Sequence, residues 1–264
     1  MKLITVTDLS APELAPYSHL TEAQLRNRLH PDQGLFIAES LKVIRVAIAV
    51  GYAPVSFLSE AKFVESQVLP LAEGLADVPV YTAEREVLAQ LTGYELSRGI
   101  LCAMRRPVLP SVTEVCRGTK RVAVMDNVVN STNTGAIFRA AAALGIEAVL
   151  LTPTCCDPLN RRACRVSMGT VFQLPWTYLE SYRQLHDEGF KLAALALNER
   201  ATTLDDPALA ANERLAIVMG TEGNGLSDAT LAQCDYVVRI PMQRGVDSLN
   251  VAAAASIAFY TLCR

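Results

Sequence analysis

Short apolar runs with almost no polar interruption recur through the second half of this chain, in RVAVMD (121–126), EAVLLT (147–152), FKLAALA (190–196), RLAIVMG (214–220) and YVVRIP (236–241). They lack the alternation of a sheet with one wet face, so each reads as a strand buried on both sides. TVFQLP (170–175) reads as one further strand. Segments of helical pattern separate them, at 133–144, 158–166, 178–188, 227–233 and 249–263. Strands and helices in alternation imply an α/β fold with a mostly parallel sheet covered on both faces.

The first half repeats the theme on a smaller scale. FIAE (36–39), PVSFLS (54–59), VPVY (78–81) and GILCAM (99–104) read as strands, with helices expected at 40–51, 61–75 and 83–91. Between the halves, PVLPSVTEVCRGT (107–119) carries two prolines and a weak apolar pattern, which reads as a linker. The expected organisation is a small α/β domain over 1–106, a linker over 107–119 and a larger domain over 120–264.

Hydrophobic residues make up 51% of the chain and charged ones 19%, enough to bury a core and too apolar for disorder. The start, MKLITVTDLSAPEL, has no basic-then-apolar signal pattern, and no apolar run reaches the length of a membrane span. The seven cysteines form no CxxC pair and the three histidines lie far apart, so no metal site is expected. Scattered thiols fit a reducing, cytoplasmic setting. A net charge of −3 argues against a uniformly basic coat but leaves room for local patches. Arg161, Arg162 and Arg165 form one, with Asp157 as the nearby acid, and such a patch suits a polyanion.

Three segments stand out chemically. NVVNSTNTGAIFRAAAALG (127–145) leads from a strand end into a helix capped by Ser131, Thr132 or Asn133, with Arg139 in its second turn. A helix start of this kind can hold an anion, and the arginine can clamp a phosphate. IVMGTEGNGLSD (217–228) runs a buried strand into three glycines around Glu222, where backbone can approach a ligand closely. IPMQRGVDSLNVAAAAS (240–256) sets a polar loop before four alanines, a helix of small side chains for which Ser248 is the candidate cap. No GxGxxG and no GxxxxGK[ST] occurs, which disfavours a dinucleotide-dependent oxidoreductase and excludes a P-loop.

In this order and spacing the three segments resemble the signature of the SpoU/TrmH family of RNA ribose 2′-O-methyltransferases, within the SPOUT class. NxGxxxRxA is matched by Asn133, Gly135, Arg139 and Ala141; GxExxG by Gly220, Glu222 and Gly225; and the last motif by IPM at 240–242 and SLNVAAA at 248–254. Residues 20–104 resemble, less closely, the family's RNA-binding N-terminal domain. The chain departs from the pattern at Asn130-Ser131, where many members have Asp-Pro, and at Arg244, where many carry the glycine.

The resemblance implies a deep trefoil knot in the SPOUT domain, S-adenosylmethionine as cofactor, a homodimer, and ribosomal or transfer RNA as substrate. It places the backbone of Gly220, Ile240 and Leu249 around the adenine. Arg139 becomes the central group on the RNA side, with Asn133, Glu222, Ser248 and Asn250 holding the site by hydrogen bonds. Arg161, Arg162 and Arg165 are expected on the RNA face beside it. Methyl transfer from a sulfonium needs no metal, and none of the histidines falls in the motifs. A non-catalytic RNA-binding member of the fold is the rival, and the intact motif residues argue against it.

Overall fold

The computed structural model describes residues 2–18, 20–27, 29–75, 77–92, 99–198, 201–221, 223 and 225–263. They fall into two compact units, Met1–Val108 with Leu159–Phe172, and Leu109–Pro158 with Gln173–Arg264.

The first unit holds a mixed sheet of β1 (Lys2–Thr5), β2 (Leu35–Glu39), β3 (Pro54–Glu60), β4 (Pro79–Ala83) and β5 (Ile100–Arg105), ordered β1-β4-β3-β5-β2. β1, β4 and β3 are parallel, whereas β5 is antiparallel to both β3 and β2. Side chains alternate across the sheet. Ile37, Leu58, Tyr81 and Leu101 face a core with Leu14, Tyr17, Leu25 and Leu88. Phe36 instead meets Tyr52 and Phe172, with ring centroids 5.6 and 5.7 Å away. Tyr17 is fully committed: its hydroxyl donates to the Ser56 carbonyl at 2.8 Å and accepts the Ala103 N–H at 3.1 Å.

Three expectations change here. β1 was not foreseen, because it is a short edge strand with mostly exposed side chains. The helix expected at 61–75 is a succession of a 3-10 turn (Ala61–Phe63), a π turn (Val64–Val68) and an α turn (Leu69–Ala72). The segment 159–172 belongs to this unit, and its Thr170–Phe172 is a 3-10 turn where a strand was expected. Phe172 explains the misreading, since its apolar neighbours are aromatic rings and not a strand ladder.

The second unit holds a wholly parallel sheet: β6 (Arg121–Met125), β7 (Ala148–Leu151), β8 (Trp176–Tyr178), β9 (Lys191–Leu195), β10 (Thr202–Thr203), β11 (Leu215–Met219) and β12 (Tyr236–Arg239). The order is β10-β12-β9-β11-β6-β7-β8. Its central strands are buried along their whole apolar length, which is why the sequence shows runs and no alternation. The fold is thus α/β with mostly parallel sheets, as expected.

The stretch expected as a linker is not extended. Val112–Cys116 is a helix with a Ser111/Glu114 capping box, and its Val112, Val115 and Cys116 are buried in the second unit's core. The two prolines precede this helix, and the boundary between the units falls between them, after Val108.

Chain direction locates the functional end. From β6 the chain moves outward to β7 and β8, then returns to the other side of β6 through β9 and β11. Where order reverses, the loops leaving adjacent strands diverge and open a crevice at the carboxyl ends. Here those are the loops after β6 and β11.

Two helices bear on that crevice. Ser131–Ala143 buries Gly135, Ile137, Phe138 and Ala141, and Val251–Leu262 buries Ala255, Ala258, Phe259 and Leu262. They pack on each other. The far end of the second helix is fixed too: Arg121 Nε donates to the Leu262 carbonyl at 3.0 Å, 141 residues away in sequence.

Candidate active site

The loop after β6 begins at Asp126, whose N–H donates to the Met219 carbonyl of β11 at 2.8 Å. Asn127 takes a positive φ of 55°, and the loop is then strapped to the turn after β7. Thr152 Oγ1 accepts the Asn127 N–H at 2.9 Å, and Cys155 Sγ accepts the Val128 N–H at 3.3 Å. Burial raises the Cys155 thiol above its ordinary range, so it serves as a neutral hydrogen-bonding group.

The cap of the Ser131–Ala143 helix is Asn130, not one of the three residues expected. Its Oδ1 accepts the N–H groups of Thr132 at 2.8 Å and Asn133 at 3.3 Å. The residue that departs from the family's Asp-Pro therefore still starts the helix, by the usual asparagine cap. The C-terminal helix is capped likewise by Asn250, whose Oδ1 accepts from Ala252 and Ala253 at 3.0 and 3.3 Å. Ser248, the cap expected from sequence, is exposed in the loop before it. Asparagine wins because the helix starts two residues later than a serine cap requires.

The second cap also reaches the first turn of the other helix. Asn250 Nδ2 donates to Asn133 Oδ1 at 3.0 Å, joining the first and third motifs across 117 residues. Asn133 is buried and Asn250 exposed, so the bond spans the edge of the interior. Both residues are thereby placed as structural pins of the site.

The loop after β11 is built on close backbone approach. A Cβ on Gly220 would lie 2.6–2.8 Å from the backbone of Gly225 and Leu226, so no other residue fits without moving the loop. Gly225 donates its N–H to the Thr221 carbonyl at 3.2 Å and takes a φ of 63°, which closes the turn. Glu222, expected among the catalytic residues, lies outside the described residues.

Arg139 is exposed on the Ser131–Ala143 helix and has no hydrogen-bond or ion-pair partner among the described residues. Ile240 is half-buried, and Leu249 is 37% exposed in a loop whose residues 243–250 are all exposed. Together these loops present backbone N–H and C=O groups and a few apolar side chains. An adenosine-sized ligand fits that donor set better than a metal ion does. Among the described residues no group of three or more His, Cys, Asp or Glu could hold a metal.

Arg161, Arg162 and Arg165 are grouped with the first unit and do not share a compact unit with these loops. Arg161 Nε and Arg165 Nη1 lie 3.7 and 3.3 Å from the carboxylate of Glu39, which is buried at the end of β2. Only Arg162 extends as a plainly exposed cation. The patch expected to be free for RNA is therefore partly a structural ion cluster.

Sequence reasoning missed Asp126, Tyr182 and Thr230. Asp126 Oδ2 accepts the Tyr182 hydroxyl at 3.0 Å and the Thr230 hydroxyl at 2.8 Å. Burial, and then the charge of Asp126, push the Tyr182 phenol far above its usual value. One signal existed: an acid closing the apolar run RVAVM, directly ahead of the first motif.

A parallel α/β unit with two loops at its switch point, and an exposed arginine on a capped helix, is an architecture that can receive a small molecule at its strand ends. Comparison narrows this. Residues 120–260 match the family model described as the SpoU rRNA Methylase family, and the chain belongs to that family of methyltransferases. It is 38% identical to an uncharacterized tRNA/rRNA methyltransferase of Mycobacterium bovis, over 98% of this chain and 91% of that one. It is 31% identical to the 23S rRNA (guanosine-2′-O-)-methyltransferase RlmB of Acinetobacter baylyi, over 75% of this chain and 83% of that one. Among solved structures, the AdoMet-bound rRNA methyltransferase from Sinorhizobium meliloti superposes with a TM-score of 0.78 at 22% identity, covering 98% of this chain and 97% of that one.

Proposed function

We propose that this protein methylates a ribose 2′-hydroxyl of structured RNA, ribosomal RNA first, with S-adenosylmethionine as the methyl donor. The observation that carries the reading is the Asn133–Asn250 bond, which unites two family motifs at the crevice where the Gly220 loop opens. The names of the Acinetobacter and Sinorhizobium relatives support the ribosomal substrate and the cofactor. Transfer RNA is the second candidate, named alongside ribosomal RNA in the mycobacterial relative.

The cofactor, when bound, supplies an electrophilic methyl group on a sulfonium leaving group. The rest falls to this chain. The backbone of Gly220, Ile240 and Leu249 receives the adenosine part, and Glu222 and Ser248 supply side-chain hydrogen bonds. Arg139 clamps a substrate phosphate and stabilises charge at the reacting hydroxyl. Its guanidinium stays protonated, because deprotonating arginine costs too much. Alignment of the two substrates supplies much of the acceleration.

Three further features belong to this reading. The loops at 219–225 and 240–249 form the walls of a trefoil knot, which suits the small residues of the helix behind them. The second unit pairs with a second copy of the chain through the apolar side chains it leaves exposed, including Val129, Val246, Ile257 and Tyr260 at 62%, 51%, 40% and 51%. The first unit contacts RNA, in the cytoplasm, through Arg162 with Arg161 and Arg165 beside it. A monomer in light scattering at micromolar concentration contradicts the pairing.

The deciding experiment maps 2′-O-methyl sites in RNA from cells with and without this protein, alongside calorimetry with S-adenosylhomocysteine. One site lost from ribosomal or transfer RNA, with micromolar binding, is the expected result. Binding with no lost site in any RNA overturns the substrate, and absence of both favours the non-catalytic RNA-binding member.

A further inference from the structure

The turn that follows β11 is held on both sides by one residue, Asp126, just past the end of β6. At its start, the Met219 carbonyl accepts the Asp126 N–H at 2.8 Å. At its finish, Thr230 donates its hydroxyl to Asp126 Oδ2 at 2.8 Å. Thr230 is also tied to Ser227, the cap of the Asp228–Leu231 helix. Its N–H donates to Ser227 Oγ at 3.1 Å, and the two hydroxyl oxygens lie 3.0 Å apart. Between these ties Gly220 lies against the backbone of Gly225 and Leu226 with no space for a Cβ. Asp126 thus grips a turn whose own walls already touch.

We propose that Asp126 is a positioning residue for the cofactor, acting through Thr230 to hold the 220–226 turn in its binding shape. The inference rests on reading that turn as a cofactor wall. A half-buried carboxylate with two hydroxyl donors is a strong, oriented acceptor. The second donor, Tyr182, comes from the loop before the Arg183–Asp187 helix; its ring shares a core with Leu226 and its hydroxyl also meets the Thr230 side chain, so Tyr182→Phe keeps the packing and removes only the hydroxyl. The two donors share one oxygen, so removing either costs a similar bond, but Thr230 is the one hydrogen-bonded to Ser227, directly after the turn. That asymmetry separates positioning from plain stability.

The test compares Thr230→Val with Tyr182→Phe, each of which deletes one hydroxyl at nearly constant shape. Binding of S-adenosylhomocysteine is measured by calorimetry, hydrogen exchange is read at the amides of residues 221, 223 and 225, and melting is followed for each variant. Thr230→Val is expected to weaken binding about tenfold and to speed exchange in the turn. Tyr182→Phe should lower the melting temperature comparably while leaving both readouts near the parent. Asp126→Ala should exceed Thr230→Val, and Asp126→Asn, which keeps an acceptor oxygen, should recover most of the loss. Equal effects of the two hydroxyl deletions on binding and exchange overturn the proposal, as does a Thr230→Val variant that behaves like the parent. If the parent itself fails to bind S-adenosylhomocysteine, the cofactor reading falls, and the exchange comparison still decides whether Asp126 holds the turn.

Discussion

Glu39 and Asp126 stand in matching places, each an acid at or just past the carboxyl end of a strand, one in each unit. Their partners differ. Asp126 gathers two neutral hydroxyls, whereas Glu39 gathers two guanidinium groups. The first arrangement orients a loop and leaves no cation behind. The second ties two cations to one buried carboxylate. Both ends turn through a positive φ in the next residue, 85° at Ser40 and 55° at Asn127, but the Ser40 hydroxyl is buried without a partner, while the Asn127 N–H is held by Thr152. One strand end is arranged for a small ligand, and the other carries strain and charge.

The comparison breaks most sharply if Arg161 and Arg165 are both removed. Glu39 is 2% exposed, and losing both cations leaves a buried carboxylate unpaired. A loss of about 3 kcal/mol in stability is expected in denaturant titration. Arg162→Ala should leave stability unchanged and lower the log–log salt slope of RNA binding by about 0.7–0.9. A double variant as stable as the parent would show that Glu39 does not organise the cluster.

Arg139 sharpens the contrast from the other side, since no described residue holds it. Arg139→Ala is expected to keep cofactor affinity and stability while methylation falls about 10²-fold or more, near 2.7 kcal/mol. Single-turnover assays on the true RNA read this directly, and near-normal turnover removes Arg139 from the mechanism. The next effect is smaller. Ser40→Gly relieves a backbone conformation that costs on the order of 1–3 kcal/mol, less about 0.5–1 for glycine's freedom in the unfolded chain. Melting should rise by about 2–4 °C, and an unchanged or lower value would mean the strain is absent.

The smallest effect is a pH dependence away from both strand ends. Burial raises the Asp235 carboxyl, but the Lys191 ammonium at 2.7 Å and the Leu192 N–H outweigh it, and the net shift is downward. A depressed carboxyl adds stability above its ordinary value and loses it as pH falls through the folded value. Asp235→Asn should therefore lower stability at neutral pH, leave strongly acidic pH nearly unaltered and so flatten the acid limb of the stability profile. An acid limb identical to the parent's removes this contribution.

Much of the second unit was legible because its strands are buried on both faces, so apolar runs map directly onto β6, β7, β9 and β11. The first unit was harder. β1 is mostly exposed and β5 runs antiparallel, and neither direction nor edge position leaves a mark in local pattern. The helix at 112–116 was hidden by its prolines, although Ser111 and Glu114 spell a capping box. The motif residues were found, but their partners were not. A cap is chosen among neighbouring polar residues by where the helix starts, which moved the role from Ser248 to Asn250. Ties such as Asp126 to Thr230 span about a hundred residues, and no spacing rule reaches that far. The arginines at 161–165 read as free cations because Glu39 is distant in sequence.

The Val251–Leu262 helix is fastened at its start to Asn133 and at its finish to Arg121. Both ties join residues more than a hundred positions apart, and contacts of that span make folding slow. On the ribosome, β6 and the helix after it emerge long before the segment that completes them. Until residues 250–262 are out, the Asn133 side chain and the face with Phe138 and Ala141 lack their partner. The second unit should therefore acquire its final form late, in a step timed by the synthesis of its last helix. The cell must keep that half-built surface from sticking to others in the interval.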